Sequence, residues 1–433
     1  MVQHDPCKLL LHSFEAAVAA ADPLRTVPLH LPGILAKLPV GRTLVVGAGK
    51  AAAAMALAIE RHWPETARLD GLVLTRYGHG LPLARISVIE AGHPLPDEHG
   101  EHGARTILSE VEKLGANDLL LCLLSGGGSS LLTLPVGEVT LNDLKYVTAG
   151  LLRSGAAIQE INTVRKHLSA IQGGRLAASS RAPVLALIIA DVTGDDPTHV
   201  ASGPCAPDPT TYSDALAVIE DYHVDVPAAV MATLQAGLRG ELGETPKPGN
   251  PAFDRVENRV VATARESLRA AAEYLRARGI DAVILGDSVT GEARDVAKVY
   301  AALAKHVRQY QHPWKTPVAL ISGGETTVTI HEKNRGGRGG RNAEFLLSLT
   351  LELRGLENTY ALAGDTDGID GTENNAGAIV TPHSLQDAQQ KGLDAPALLA
   401  RHDAYAFFEE LDQLVLTGPT RTNVNDYRVI LIL

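Results

Sequence analysis

Apolar positions along the 433-residue chain cluster into short continuous runs that end in glycine or small polar residues, with stretches of helical periodicity between them. Leu119 to Leu124 carries no polar residue and has the length of a strand buried on both faces. It stops abruptly at Ser125, Gly126, Gly127, Gly128, Ser129 and Ser130. Thr43–Val46, Gly71–Leu74 and Val184–Ala190 repeat the design, the first of them followed by a glycine turn and an alanine-rich helix. A Gly- and Pro-rich tract between 240 and 251 interrupts the rhythm, which restarts with strands near 260, 283, 320 and 362 and closes on a run ending at Leu433. The pattern predicts an α/β protein of two Rossmann-like domains, residues 1–245 and 250–433. An active site is expected in the cleft between them, and the last segment is a candidate to pack back on the first domain.

Composition narrows the picture. Apolar residues make up 45% but aromatics only 4%, so alanine, leucine, valine and glycine do the packing, as suits helices laid closely on parallel sheets. A net charge of -11 argues against nucleic acid or an anionic membrane as partner, though not against a small anionic substrate met by a few local cations. Cys7, Cys122 and Cys205 lack ligand-like spacing, and Cys122 within the apolar run reads as a reduced core thiol. No targeting signal opens the chain and no apolar run approaches ~18 residues, so a cytoplasmic location is expected. A homo-oligomer is compatible with all of this.

The strand ends hold the chemistry. Ser125–Ser130 can expose backbone N–H groups to a phosphate, or serve as a plain turn. Gly47, Gly49 and Ala52 fit a G-x-G-x-x-A turn, but Thr75, Arg76 and Tyr77 stand where a dinucleotide fold needs a ribose-binding acid. Leu44 and Ala51 exclude a P-loop, leaving Lys50 as either a ligand-facing charge or a solvated helix start. His79, His93, His99 and His102 invite a metal reading, yet Gly92, Pro94, Pro96 and Asp97 favour a substrate loop. Arg165, Lys166 and His167 form either a solvated face or an anion contact. Asp191, Asp195 and Asp196 suit Mg²⁺, base or capping work, and Ala201-Ser202-Gly203-Pro204 follow them. Ser322-Gly323-Gly324-Glu325 echoes the earlier glycine loop, Arg335, Arg338 and Arg341 make a cationic loop, and Asp365, Asp367 and Asp370 a further acidic cluster. Glycine cradles, carboxylates and cations together call for phosphoryl transfer, and no G-x-S-x-G elbow offers acyl transfer instead.

The motifs VVGAGKAA, EAGHPLPD, LLSGGGSSLL, NTVRKHLSAIQGGRLA, ADVTGDDPTHVASGP, ISGGETTVTI, GGRNAE and AGDTDGIDGTENNAGA together resemble the glycerate 2-kinase family with a MOFRL C-terminal domain, from about residue 10 to 425. The resemblance implies an enzyme using ATP and Mg²⁺ to phosphorylate D-glycerate to 2-phosphoglycerate. It makes Lys50 a group that steadies the substrate carboxylate or the transferring phosphate, and Arg341 the transition-state cation. Ser125, Gly126, Gly127, Gly128, Ser129 and Ser130, with Gly324 and Glu325, become the phosphate-binding set, and His93 and Arg165 join Lys50 and Arg341 around the substrate. Asp191, Asp195 and Asp367 are the expected metal ligands, Asp191 being equally a candidate base. Two rivals remain, an NAD(P)H-dependent hydroxypyruvate reductase and a non-catalytic sugar-acid-binding protein.

Overall fold

Six of the apolar runs assemble into one sheet in the computed structural model, which describes residues 5–192, 194–330 and 336–433. Strands β1 (Thr43–Ala48), β2 (Leu69–Arg76), β3 (Ile86–Ala91), β4 (Leu119–Leu124), β5 (Val184–Ile189) and β6 (Val256–Ala262) lie in the order β3-β2-β1-β4-β5-β6. β1 to β5 run parallel, and the unbroken apolar character of β1, β4 and β5 follows from burial on both faces. Strand order reverses between β1 and β4, where open α/β sheets form their ligand crevice. The register sets Ala48 beside Leu124, so the loops after these two strands leave the sheet at one level.

The alanine-rich helix Ala52–His62 follows β1, its small side chains letting its backbone lie close on the sheet. Helices Leu141–Ser154, Ile158–His167, Tyr212–Asp221 and Ala228–Leu238 form a separate layer around Leu144, Leu151, Ile161, Val164, Tyr212 and Leu234. That layer fixes the helix bearing Arg165. All these elements belong to a unit spanning Pro23–Val261.

A second unit comprises the described residues up to Asp22 and Ala262–Leu433. Its strands β7 (Asp281–Gly286), β8 (Val318–Ser322), β9 (Thr359–Asp365), β10 (Gly377–Val380), β11 (Leu414–Val415) and β12 (Asp426–Ile432) lie in the order β11-β10-β9-β12-β8-β7. The sheet is mixed: β12 runs antiparallel to both β8 and β9, while β7 and β8 are parallel. The unit is thus α/β, as expected, but not wound like the first.

The expected boundary at 245–250 moves. The Gly/Pro tract is a loop inside the first unit, anchored by Thr245 on Asp208 and by Glu244 on the Tyr212 N–H, and the chain still contributes β6 before it crosses at Val261. Residues 5–22 also belong elsewhere than expected. Leu9, Leu10, Phe14 and Ala17 of helix Pro6–Ala20 pack among Leu268, Leu275, Tyr427 and Val429, and the Tyr427 hydroxyl donates to Ser13 Oγ at 2.9 Å. The last segment forms β12, an inner strand of the second unit's own sheet between β9 and β8. Among the described residues no helix is long and apolar enough to cross a membrane, and Cys122 is buried and forms no disulfide. Phe14→Ala should destabilise the second unit by about 3–5 kcal/mol through the cavity it leaves, measured as a lowered urea midpoint by circular dichroism.

Candidate active site

At the crevice of the first sheet the loops after β1 and β4 are knitted together. The Ser125 N–H donates to Ala48 O at 3.1 Å, the Lys50 N–H to Gly126 O at 2.8 Å, and the Ala51 N–H to Ser125 Oγ at 3.1 Å. Gly49 (φ +139°) approaches Ser125 so closely that any Cβ would collide with its hydroxyl and carbonyl, which is why glycine stands there. Gly127 (φ +82°) is pinned likewise: a Cβ would come within 2.9 Å of His93 Cδ2 and 3.4 Å of Lys50 Cγ. The structure therefore brings together three of the expected groups, Lys50, His93 and the glycine loop. The loop leads into only one helical turn, Gly128–Leu131, so a helix dipole adds little to its capacity for an anion, and the N–H groups of Ser125, Gly128 and Ser130 already bond to Ala48 O, Ser125 O and Gly127 O.

The same geometry bears on dinucleotide binding. In such folds the N–H groups of the first turn face the pyrophosphate. Here the Lys50 and Ala51 N–H groups are already bonded to the β4 loop, and the Thr75 hydroxyl, near the end of β2, donates to Gly49 O at 3.1 Å.

The cationic triplet on helix Ile158–His167 separates by role. Lys166 is buried in an ion pair with Asp208 at 3.3 Å, and His167 lies between Thr163 O at 2.8 Å and Glu244 at 3.2 Å. Arg165 alone of the three lines a small cavity, with Pro96, Ser129, Ser130, Thr133 and Gln172. Its guanidinium donates to Asn162 Oδ1 at 3.3 Å and to Thr148 Oγ1 at 3.5 Å, and among the described residues it forms no ion pair with a carboxylate. Burial lowers its pKa to about 10, which leaves it charged at neutral pH. A desolvated cation balanced only by neutral acceptors can receive an anion.

Asn162 and Gln172 escaped the sequence reading, although Asn162 lies one helical turn before Arg165 and so shares its face. Gln172 donates to Ser129 O at 2.8 Å and Leu132 O at 2.9 Å, bracing the glycine loop from behind. Ser202 Oγ lies 2.9 Å from Ser129 Oγ and 3.1 Å from Asn162 Oδ1.

Asp191 and Asp195 are half-buried beyond the carboxyl end of β5, and Asp195 has φ +55°. Asp196 accepts the Thr198 N–H at 2.9 Å, and that bond with the Thr198 hydroxyl outweighs its partial burial to keep its pKa low, which is turn work. No group of three His, Cys, Asp or Glu side chains poised for a metal occurs among the described residues. Mg²⁺ commonly takes only one or two carboxylates beside substrate phosphates and water, and the half-buried Asp191 and Asp195 fit that donor set.

In the second unit Arg341 opens helix Arg341–Leu353 inside a cage of carboxylates. Its Nε donates to Asp426 at 2.8 Å, Nη2 to Asp365 at 2.8 Å, and Nη1 pairs with Glu325 at 2.8 Å. These partners outweigh desolvation and raise its pKa well above the ordinary value. The expected transition-state cation thus has its charge matched within its own unit. Glu325, expected near phosphate, is one of its partners, and Gly324 (φ +99°) presses on the backbone of Val289. Asp367, expected to hold metal, is buried and accepts the Ile369 N–H at 2.8 Å. Asp370 accepts the N–H groups of Asn342 and Ala343 at 3.0 and 2.8 Å, and burial raises its pKa to about 6. Arg335 lies outside the described residues.

Comparison with known proteins agrees over the whole chain. A family described as a domain of unknown function (DUF4147) matches residues 9–235, and the MOFRL family matches residues 318–426. A protein of Agrobacterium vitis provisionally named a hydroxypyruvate reductase is 49% identical, across 98% of this chain and 94% of that protein. The glycerate 2-kinase of Pyrococcus horikoshii is 40% identical, across 100% of this chain and 98% of its own. The crystal structure of glycerate kinase from Thermotoga maritima superposes with a TM-score of 0.85 at 38% identity, covering 99% of each chain.

Asp370 holds a proton more tightly folded than unfolded, so its contribution favours folding below the ordinary carboxylate range and is lost as pH rises through about 6. Asp370→Asn should remove that component, on the order of 2–3 kcal/mol between about pH 4 and 7, seen as the difference between the urea stabilities of variant and unmutated protein across that range.

Proposed function

Since this chain belongs to the glycerate 2-kinase family, we propose that it transfers the γ-phosphoryl group of ATP to the 2-hydroxyl of D-glycerate, giving 2-phosphoglycerate and ADP. The observation that carries the reading is the pairing of a glycine loop and Lys50 with the uncompensated Arg165 at the edge of one parallel sheet. Phosphoryl transfer requires little covalent chemistry from a protein. It requires two anions to be held in line and their charge to be met.

In this scheme the backbone of the glycine loop 125–130 cradles the transferring phosphate, with the Lys50 ammonium meeting the charge that develops on its oxygens. Arg165 takes the carboxylate of glycerate, and His93, seated against Gly127, closes the loop side of the substrate position. Asp191 and Asp195 supply carboxylate oxygens for Mg²⁺, which when bound neutralises phosphate charge. Arg341 holds Asp365, Asp426 and Glu325 in a fixed arrangement that orders the loops of the second unit.

A hydroxypyruvate reductase, suggested by the name of the Agrobacterium relative, is disfavoured by the backbone. The N–H groups a dinucleotide would need are spent on the β4 loop.

The test is turnover of D-glycerate with ATP and Mg²⁺, with the product isomer identified by NMR. 2-Phosphoglycerate is expected. NADH oxidation with hydroxypyruvate, and no phosphorylated product, would overturn the proposal. Arg165→Ala should raise KM for D-glycerate about 10–100-fold with a smaller change in kcat, as loss of a charge-assisted contact made in ground and transition states alike. Asp191→Asn should instead lower kcat about a hundredfold or more, which steady-state kinetics separates from the first effect.

A further inference from the structure

Ser202 sits where nothing in the family reading assigns a role, and its environment is unusual in three respects. It is fully buried. It and its neighbour Ala201 are consecutive non-glycine residues in the left-handed region, with φ +59° and +52°. Such backbone is disfavoured for side chains with a Cβ and persists only where the surroundings enforce it. Its hydroxyl also stands between Ser129 Oγ, which lines the cavity, at 2.9 Å and Asn162 Oδ1, the acceptor of Arg165, at 3.1 Å.

Proton counting defines what this hydroxyl can do. Guanidinium only donates, so the Asn162 atom facing Arg165 is the amide oxygen, and Arg165 already fills one of its two lone pairs. Ser202 has a single proton for its two neighbours. Donated to Asn162, it leaves Ser202 to accept from Ser129, and the Ser129 proton is turned away from the cavity. Donated to Ser129, it fills a lone pair there and releases the Ser129 proton toward the cavity that Ser129 and Arg165 both line. Asn162 Oδ1 keeps its bond from Arg165 in either case. Only the second arrangement presents an anion with a hydroxyl donor beside the guanidinium.

We propose that Ser202 is a positioning residue of this pocket, its hydroxyl bonded to Ser129 Oγ so that the Ser129 O–H and Arg165 grip the carboxylate of one small hydroxy acid together. The inference rests on the kinase reading for the identity of that acid as glycerate. The strained Ala201–Ser202 backbone is what carries the hydroxyl to its place between Ser129 and Asn162.

The experiment is a double-mutant cycle read by calorimetric binding of D-glycerate to the full chain, with steady-state kinetics alongside. Ser202→Ala and Ser129→Ala should each weaken binding about tenfold, and the double variant should be no more than about twofold weaker than the poorer single. KM should rise in step while kcat changes less than about threefold, a split that a general loss of structure would not produce. Ser202→Gly, which suits left-handed backbone, should weaken binding as Ser202→Ala does and keeps the test open if the alanine variant fails to fold. Unchanged affinity in the Ser202 variants, full multiplication of the two single effects, or no D-glycerate binding by the unmutated protein would overturn the proposal. Binding of D-glycerate without ATP-dependent turnover would overturn the kinase reading alone, and the binding cycle would still decide the role of Ser202.

Discussion

The first unit depends on one close approach, that of Gly49 to Ser125. Parallel strands leave the sheet side by side, and β1 and β4 diverge in topology just there. Their loops can share the crevice only if one backbone passes over the other without a side chain between them. Gly49 makes this possible, and three hydrogen bonds then lock the two loops into one surface. Lys50, the glycine loop and His93 owe their mutual placement to this lock. So does the loss of the free N–H groups that a dinucleotide would have required.

Electrostatic balance distinguishes the two units. In the second, cations and carboxylates are matched against each other: Arg341 with Asp365, Asp426 and Glu325, and Arg428 with Asp426. In the first, Lys166 is matched by Asp208 while Arg165, one residue away, faces neutral oxygens only. Adjacent residues on a helix point about 100° apart, so a single turn of chain can hold one cation for the core and offer another to a ligand. Unmatched charge in a desolvated position is costly, and it is tolerated where binding will supply the counter-charge.

Much of this was legible in the sequence. Buried strands such as Leu119–Leu124 declare themselves by an unbroken apolar run, and the glycine loop by its abrupt end. The Arg165–Lys166–His167 triplet was visible as a cluster but not as a division of labour, since which member meets a carboxylate depends on Asp208 and Glu244, 42 and 77 residues further along the chain. Asn162 and Gln172 carried no local signal because their importance lies in neighbours brought up by folding. The domain boundary was misplaced for a related reason: Gly and Pro mark a turn without telling whether the chain afterwards rejoins the same sheet. The assignment of helix Pro6–Ala20 to the second unit depends on contacts with residues beyond 260 and has no trace in its own periodicity.

That last contact orders events during synthesis. The apolar face of Pro6–Ala20 leaves the ribosome well before the surface that covers it, which is built from residues 268 to 431. At about 5–20 residues per second, this face waits for roughly 20–80 s while the Pro23–Val261 unit is made and can fold as an inserted whole. For that interval Leu9, Leu10 and Phe14 lack the partners that bury them, and transiently uncovered apolar surface of this kind is where a growing chain is most prone to aggregate.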